Sequence, residues 1–189
     1  EGHERRRARS ENLLDVLQAA GLAVLWLDNQ PGGCKGVCDR VPHVQVNDAV
    51  AHPDLCRGGE CLDDVLLQEL DQRLASLPPE RAARGVVLVL HQMGSHGPAY
   101  YRRSPAATKR FLPECRSSTL SECSHGELLN AYDNSIAYTT VFSATLSTGC
   151  ARNPNASTAG CSTSAIMVSR WVNTVFTCMA CRFASRSRS

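Results

Sequence analysis

The sequence GVVLVLHQMGSHG, residues 85–97, predicts how this chain folds. Five aliphatic residues follow Gly85 without polar alternation, which is typical of a strand that a parallel sheet buries on both faces. The rest of the stretch is polar and contains two more glycines, which predicts a loop. Functional groups of open α/β sheets collect at the carboxyl ends of the strands, so this loop is a candidate site.

A second strand of the same kind is predicted where LAVLWL, residues 22–27, runs into Asp28. Helices are predicted before and after it from apolar residues at helical spacing. The order of elements predicts an α/β fold with an open, mostly parallel sheet flanked by helices. The predicted helices cover residues 11–21, with Ser10 as N-cap and Gly21 as stop, residues 63–77, stopped by Pro78 and Pro79, and residues 126–138.

Length and composition favour one domain with an ordinary core, since the chain has 189 residues of which 43% are hydrophobic. The formal charge is only +2 and aromatic residues make up 5%, so nucleic acid is not an expected partner. The basic run from Arg5 to Arg9 is interpreted as a solvated terminal segment. No window of about 18 consecutive apolar residues occurs, so no membrane-spanning helix is predicted.

Six of the ten cysteines form three local pairs in polar loops. Their unequal spacings lack the repeated C-x2-C knuckles and histidine partners that structural zinc sites prefer, so disulfides are favoured. Stable disulfides require an oxidising compartment, which predicts a periplasmic or extracellular location. The pairs are Cys34 with Cys38, Cys56 with Cys61, and Cys115 with Cys123.

Two histidines, His91 and His96, lie five residues apart in the loop that follows the predicted strand. Both can face one cleft and meet a metal, a phosphate or a leaving group. The alternative is that one of them only bonds a backbone carbonyl. With Gly94, Ser95 and Gly97 in the same loop, the functional interpretation is favoured.

Five segments together resemble the phosphoethanolamine–lipid A transferase family, over about two thirds of the chain. They agree in order and in rough spacing. The segments are WLDNQPGGCKGVCDRVP at residues 26–42, LCRGGECLDDVLL at 55–67, SHGPAYYRR at 95–103, ECRSSTLSEC at 114–123 and LLNAYDNSIAYT at 128–139.

That resemblance implies an alkaline phosphatase/sulfatase-like fold, held at the periplasmic face of the bacterial inner membrane by an N-terminal anchor that this sequence lacks. It implies transfer of phosphoethanolamine from phosphatidylethanolamine to a lipid A phosphate, through a phosphothreonine at a Zn²⁺ site. It further implies a role in polymyxin resistance. The chain is therefore expected to be a partial catalytic domain.

The resemblance also implies roles for individual residues. His96 is expected to bind a second zinc or the substrate phosphate, with His91 beside it. Lys35 and Asn29 are expected to hold the phosphoethanolamine group, although the loop between them is one residue longer than is usual in the family, and a solvated Lys35 is an equal alternative. Asn130, Asp133 and Asn134 are interpreted as structural hydrogen-bond partners.

Other family residues are absent from the reading frame. The nucleophilic threonine and a glutamate ligand have no counterpart, and neither have the motifs DHGESLGE and LHGMP. However, codons permitted for residues 165–173 encode Asp-His-Gly-Glu-Ser-Leu-Gly-Glu when read from the third base of each codon, and residues 176–182 permit Tyr-Leu-His-Gly-Met-Pro. We expect residues 1–140 to be the partial domain and residues 141–189 to be an out-of-frame tail without a foldable pattern.

Three functional hypotheses follow. The first is a zinc-dependent phosphoethanolamine transferase. The second is a catalytically inactive remnant of such an enzyme, without nucleophile or zinc ligands. The third, a sulfatase or phosphatase of the same superfamily, is disfavoured because SHGPAYYRR and NAYDNSIAYT resemble the transferase branch.

Overall fold

A computed structural model describes residues 10–152, 162–168 and 174–181 of the chain. A five-stranded sheet forms its centre, with the strand order β2-β1-β5-β7-β6. A separate antiparallel hairpin consists of β3 and β4. The strands are β1 Ala23–Asp28, β2 His43–Gln45, β3 Cys56–Arg57, β4 Glu60–Cys61, β5 Val86–His91, β6 Ser162–Val168 and β7 Thr174–Cys181.

The central sheet is mostly parallel, as the sequence predicts. Strand β1 pairs in parallel with β2 on one side and with β5 on the other. Strand β7 is antiparallel to both β5 and β6, so four of these five strands share one direction. The parallel register sets Asp28 beside His91, which brings the carboxyl ends of β1 and β5 to one edge of the sheet.

Burial on both faces explains the apolar runs that form the two inner strands. Every residue of β1 and of β5 is buried. Alternate side chains enter two separate clusters: Leu25 and Leu88 pack on one face, while Val24 and Val87 pack on the other. Burial of apolar surface contributes about 25 cal/mol per Å² to stability. Both strands supply residues to both core clusters, so they link the two halves of the core.

The helices flank this sheet. They are α1 Leu13–Ala19, α2 Leu70–Ala75, α3 Pro79–Arg84 and α4 His125–Arg152. The predicted N-cap of the first helix is wrong, because Asn12 and not Ser10 caps it. The Asn12 side chain accepts from the backbone of Leu14 and Asp15, and the Asp15 carboxylate accepts the Asn12 N–H at 2.7 Å. This reciprocal capping box satisfies backbone donors that Ser10 cannot reach.

The predicted helix over residues 63–77 is also wrong as a single element. A 3-10 helix at Asp63–Leu67 comes first, Glu69 then adopts a left-handed φ of 55°, and only Leu70–Ala75 is α-helical. The apolar residues of this stretch still pack in the core, which includes Val65 and Leu66. Asp63, at the start of the 3-10 helix, is buried as well.

The structure extends beyond the point where the sequence predicts no elements. Helix α4 continues past Tyr138 to Arg152, and Phe142 and Leu146 prolong its buried face at a spacing of four residues. Strands β6 and β7 then lie at the β5 side of the sheet. The structure thus has a helical extension and two strands after residue 140, where the sequence analysis predicts no elements. The out-of-frame origin of residues 141–189 stays a prediction.

Disulfide bonds join the three cysteine pairs, with Cα atoms 5.8 Å apart for Cys34 and Cys38, 3.9 Å for Cys56 and Cys61, and 5.6 Å for Cys115 and Cys123. Each closes a short loop, and in the chain-entropy model closing so short a loop stabilises by about 2 kcal/mol. Within the described residues, no helix combines the length and hydropathy that crossing a membrane requires.

Candidate active site at the carboxyl edge of the sheet

The last residues of β1 and β5 form a buried acid–imidazole pair. His91 Nδ1 lies 3.0 Å from Asp28 Oδ1, and both side chains are less than a tenth exposed. The Asp28 carboxylate also accepts the Trp26 indole N–H at 3.2 Å and the Gln30 backbone N–H at 2.8 Å. A carboxylate only accepts, so a hydrogen on Nδ1 of His91 would lie toward Asp28.

A second buried carboxylate, that of Asp63, joins three segments of the chain. One oxygen accepts the Asn29 amide at 2.8 Å and the Met93 backbone N–H at 2.7 Å. The other oxygen accepts the Gly94 backbone N–H at 2.9 Å. The end of β1, the exit of the β3–β4 hairpin and the loop after β5 therefore meet at this one side chain.

The electrostatics of Asp63 combine two opposing effects. Burial raises the pKa of its carboxyl above the usual range, and the bonds from Asn29, Gly94 and Met93 and the charge of Arg103 offset only part of that rise. Both oxygens accept N–H donors, so the ionised carboxylate is the form that the surrounding geometry satisfies. A carboxylate this deeply buried persists only when such donors replace water.

The candidate residue His96 lies in the histidine loop, which we define as residues 91–97. Its Nδ1 is 2.9 Å from its neighbour's carbonyl oxygen, that of Gly97. Since a carbonyl only accepts, Nδ1 carries the hydrogen of the neutral ring and Nε2 keeps its lone pair. The half-exposed ring therefore offers Nε2 as the nitrogen that can meet a phosphoryl group or its proton.

Two side-chain contacts hold the histidine loop in place. Arg103, which is 4% exposed, donates through Nε to the carbonyl of His96 at 2.7 Å. Its two terminal nitrogens bind the Glu60 carboxylate, each at 3.0 Å, which ties the loop to the β3–β4 hairpin. On the other side, the hydroxyls of Ser95 and Ser135 lie 2.9 Å apart and link the loop to α4. Bidentate arginine–carboxylate pairs are among the stronger polar contacts.

Two of the sequence-derived candidates meet here and one does not. The Asn29 backbone N–H donates to the His91 carbonyl at 2.9 Å, and both residues are buried. The Asn29 amide is engaged by Asp63 and by the Cys61 carbonyl. Lys35 is exposed, has a φ of 48°, and within the described ranges forms no ion pair with an acidic group. The ligand roles of Asn29, His91, Lys35 and His96 stay predictions.

The described residues contain one group of side chains that could share a metal ion. Within residues 10–152, three side chains that could share a metal ion lie within 4.8 Å of one another: Cys34, Cys38 and Asp39. Both sulfurs of that group are in a disulfide, so neither is available as the thiolate that zinc requires. No such group forms around His96 in the described residues. Residues 10–152, 162–168 and 174–181 therefore do not supply a set of zinc donors around His96.

The helix that carries NAYDNSIAYT has a structural role at this edge. The Asn134 amide oxygen accepts the backbone N–H groups of Arg110 and Phe111, and Asn130 donates to the Pro113 carbonyl at 2.7 Å. The interpretation of these two asparagines as structural hydrogen-bond partners is thus confirmed. Asp133 is exposed.

Sequence patterns did not single out several residues that organise the site. The sequence pattern indicates Asp28 only as the end of a strand, Asp63 only as the start of a helix, and Arg103 only as part of a motif. An acid that directly follows a fully buried strand was an available signal for Asp28. Asp63 bonds Met93, 30 residues away in sequence, and Arg103 bonds Glu60, 43 residues away. A local sequence pattern does not reveal partners at such separations.

The chain is similar in sequence to a known family and to individual proteins over most of its length. Residues 2–141 match the family model described as Sulfatase. The chain is 45% identical over 128 residues to phosphoethanolamine transferase EptA of Escherichia coli K12, a match that covers 68% of this chain and 22% of that protein. It is 37% identical over 137 residues to phosphatidylethanolamine transferase Mcr-1 of Escherichia coli, covering 70% and 24%. The chain thus spans less than a quarter of either relative.

Solved structures give the same neighbours. The soluble domain of lipooligosaccharide phosphoethanolamine transferase A from Neisseria meningitidis superposes with a TM-score of 0.70 at 30% identity, covering 94% of this chain and 55% of that one. The C-terminal periplasmic domain of phosphoethanolamine transferase EptC from Campylobacter jejuni gives 0.61 at 28% identity, covering 90% and 55%. The alkaline phosphatase/sulfatase-like fold predicted from the sequence is confirmed.

The arrangement around Asp63 predicts the effect of the substitution Asp63→Asn. The amide keeps one oxygen but turns an NH2 group toward a backbone N–H, so a buried donor loses its acceptor. We expect a loss of about 2 kcal/mol or more in the free energy of unfolding, measured by urea titration at pH 7.

The control for this experiment is Asp133→Asn, the same change on the exposed face of α4. It is expected to alter the free energy of unfolding by less than about 0.5 kcal/mol. Equal stability of the Asp63→Asn variant and the unmodified chain would contradict the role assigned to Asp63.

Proposed function

This chain belongs to the sulfatase family, and we propose that it is a segment of the catalytic domain of a phosphoethanolamine transferase that acts on lipid A. One observation carries the proposal. Asn29 and Asp63, from two of the segments that resemble the transferases, are hydrogen-bonded to each other at one sheet edge, and Asp63 also accepts the Met93 and Gly94 N–H groups of the loop that carries His96. An edge of this kind is where α/β enzymes bind their substrates.

The donor we propose is phosphatidylethanolamine, and the acceptor is a phosphate of lipid A. Two relatives support these classes by name, since one is a phosphatidylethanolamine transferase and another a Kdo(2)-lipid A phosphoethanolamine 7''-transferase. Adding phosphoethanolamine to a lipid A phosphate introduces an ammonium group, which reduces the net negative charge that a cationic peptide meets at the membrane. Polymyxin resistance is the expected consequence.

The residues of this chain would act on the transferred group through hydrogen bonding and charge. His96 presents Nε2 with its lone pair, so it can accept a proton from the phosphoryl group or from the attacking oxygen. Lys35, exposed in the disulfide loop of residues 34–38, would offset the negative charge of the phosphate. Arg103 positions His96 through the peptide carbonyl and does not itself reach the phosphate.

Zinc dependence belongs to this proposal, but the donors described above do not form a zinc site. The aspartate and histidine expected as ligands occur only in the shifted frame that the codons of residues 165–167 permit. We therefore propose that a polypeptide of these 189 residues is catalytically inactive, because phosphoryl transfer needs a nucleophile beside a group that takes up its charge. No catalytic step is assigned to the metal here.

The proposed location is the periplasmic face of the bacterial inner membrane. Three disulfides within 90 residues require an oxidising compartment. One structural relative is described as a periplasmic domain and another as an integral membrane protein. Membrane attachment would come from the remainder of the transferase.

A hydrolase of the same family is the second candidate, and the match to the Sulfatase model favours it in general terms. The 45% identity to a phosphoethanolamine transferase favours transfer over hydrolysis. The two activities separate in an assay that offers phosphatidylethanolamine and a soluble sulfate ester as alternative donors.

A chimera tests the proposed function directly. The matched 128 residues of Escherichia coli EptA are replaced by the corresponding residues of this chain, so that the nucleophile and metal ligands come from EptA. We expect phosphoethanolamine on lipid A, detected by mass spectrometry, in cells that lack their own transferase.

Two further polypeptides serve as controls: the exported 189-residue chain and the same chain with its reading frame restored after residue 140. Neither is expected to modify lipid A, whereas only the restored chain should gain Zn²⁺ binding by equilibrium dialysis. A correctly inserted but inactive chimera would contradict the transferase assignment. Activity of the 189-residue chain would contradict its proposed inactivity.

The same chimera tests His96. Replacement by alanine removes the Nε2 acceptor and should lower the transfer rate roughly 100-fold or more if His96 meets the phosphoryl group. The matched control is His43→Ala, because His43 Nδ1 also contacts a backbone carbonyl, at 3.0 Å, but lies on β2. Equal rates for the two folded variants would assign His96 a structural role.

A further inference from the structure

Tyr100 lies three residues after the histidine loop, in the motif SHGPAYYRR at residues 95–103. Its side chain is partly exposed. Within the described residues its hydroxyl forms no hydrogen bond, and it is not one of the polar atoms that are both buried and unpaired. The phenol O–H therefore faces accessible space and is free to donate a hydrogen bond.

The Tyr100 hydroxyl lies against the residue that also orients His96. A Cβ added to Gly97 would be 2.7 Å from the hydroxyl oxygen and 2.8 Å from Cζ of Tyr100, so the missing side chain of Gly97 leaves the space that the phenol occupies. The carbonyl oxygen of the same glycine lies 2.9 Å from Nδ1 of His96. Two polar side chains, a phenol and an imidazole, thus meet the loop at one residue.

Contacts on two sides hold the phenol ring in this position. The ring of Tyr132 on α4 packs edge-to-face against it, with the centroids 5.6 Å apart and the ring planes at 89°. Aromatic pairs of this geometry are favourable. The Tyr100 backbone N–H donates to the Pro98 carbonyl at 3.0 Å, and the Tyr100 carbonyl accepts the Arg103 N–H at 2.9 Å. The hydroxyl is therefore placed before a ligand arrives.

The other hydroxyl groups of residues 91–103 already have partners. Ser95 is 2% exposed, and its hydroxyl lies 2.9 Å from that of Ser135 on α4. The Tyr101 hydroxyl accepts the Arg102 Nε–H at 3.1 Å. Tyr100 is thus the residue of this segment whose hydroxyl is both unpaired and accessible.

We propose that Tyr100 is a further catalytic residue, whose hydroxyl donates a hydrogen bond to a non-bridging oxygen of the phosphoryl group during transfer. This inference rests on the proposed function, and it adds a neutral donor to the imidazole of His96 and the charge of Lys35. The transition state of phosphoryl transfer carries charge on its peripheral oxygens, and a donor fixed in advance stabilises that charge. Tyr100 keeps its proton throughout, so the bonds made and broken stay the same.

The chimera with Escherichia coli EptA tests this role in turnover, with the purified chimera in detergent micelles. Tyr100→Phe removes the oxygen and keeps the ring that packs on Tyr132. We expect kcat for transfer to lipid A to fall about tenfold or more, with KM for phosphatidylethanolamine within a factor of about two, because the bond strengthens in the transition state. The melting temperature should not fall, since the hydroxyl has no partner to lose in the described part of the chain.

The matched control is Tyr101→Phe, the same change at the next residue. The hydroxyl of Tyr101 meets Arg102 and is not the one against Gly97. We expect kcat of this variant to stay within a factor of about two of the unmodified chimera. Unchanged kcat in Tyr100→Phe would overturn the proposal. An equal fall in both variants would also overturn it, because the effect would then come from the packing of the rings.

A binding measurement decides the proposal without turnover. The oxidised 189-residue chain is titrated with O-phosphoethanolamine, and the amide signal of Gly97 is followed by NMR. The phosphate of this probe carries two negative charges and so resembles the charged phosphoryl group more closely than the diester of phosphatidylethanolamine does. We expect a saturable shift, with a dissociation constant about threefold or more higher in Tyr100→Phe and unchanged in Tyr101→Phe. Ethanolamine, which lacks the phosphoryl group, should produce no shift.

The two measurements separate a failure of this inference from a failure of the proposed function. An inactive chimera together with the expected difference in binding would contradict the transferase assignment and leave the contact between Tyr100 and the phosphoryl group standing. An active chimera whose kcat does not depend on the Tyr100 hydroxyl would do the reverse. Absence of O-phosphoethanolamine binding, or equal dissociation constants for the unmodified chain and Tyr100→Phe, would overturn the inference whatever the chimera does.

Discussion

The buried carboxylate of Asp63 is the contact on which the candidate active site depends. It accepts three N–H donors from two segments that are remote from it in sequence, the end of β1 and the loop after β5. Removing a carboxylate from water is costly, and only a full set of donors offsets that cost. The Asp63 carboxylate therefore holds the histidine loop against the sheet. An apolar side chain could not replace it, because the Met93 and Gly94 N–H groups would lose their acceptor.

The remaining contacts extend from this point. The parallel register of β1 and β5 sets the Asp28 carboxylate beside the His91 imidazole. Arg103 links the histidine loop to the β3–β4 hairpin, because it donates both to the His96 carbonyl and to the Glu60 carboxylate. The same hairpin lines a cavity of about 540 Å³ together with the segment that follows the histidine loop. The sheet edge and the cavity thus share the β3–β4 hairpin as a support.

The sequence predicts the parts of this fold that follow from local pattern. Both inner strands were predicted within one residue because their two faces are buried, and parallel pairing followed from the order of elements. The single helix predicted from residue 63 is interrupted at Glu69, whose left-handed backbone no apolar period reveals. Helix α4 was predicted too short because Thr139, Thr140 and Ser143 hide the buried stripe that Phe142 and Leu146 continue.

Hydrogen exchange at the Met93 and Gly94 amides tests the central claim most directly, that the histidine loop is assembled on Asp63 in the folded chain. Both amides donate to a fully buried carboxylate, so they should exchange as slowly as the amides of β5, through opening of the whole core. Exchange at the rate of an exposed loop amide, such as that of Gly32, while the β5 amides stay protected would contradict it. The loop would then be free of Asp63, and the site would not be preassembled.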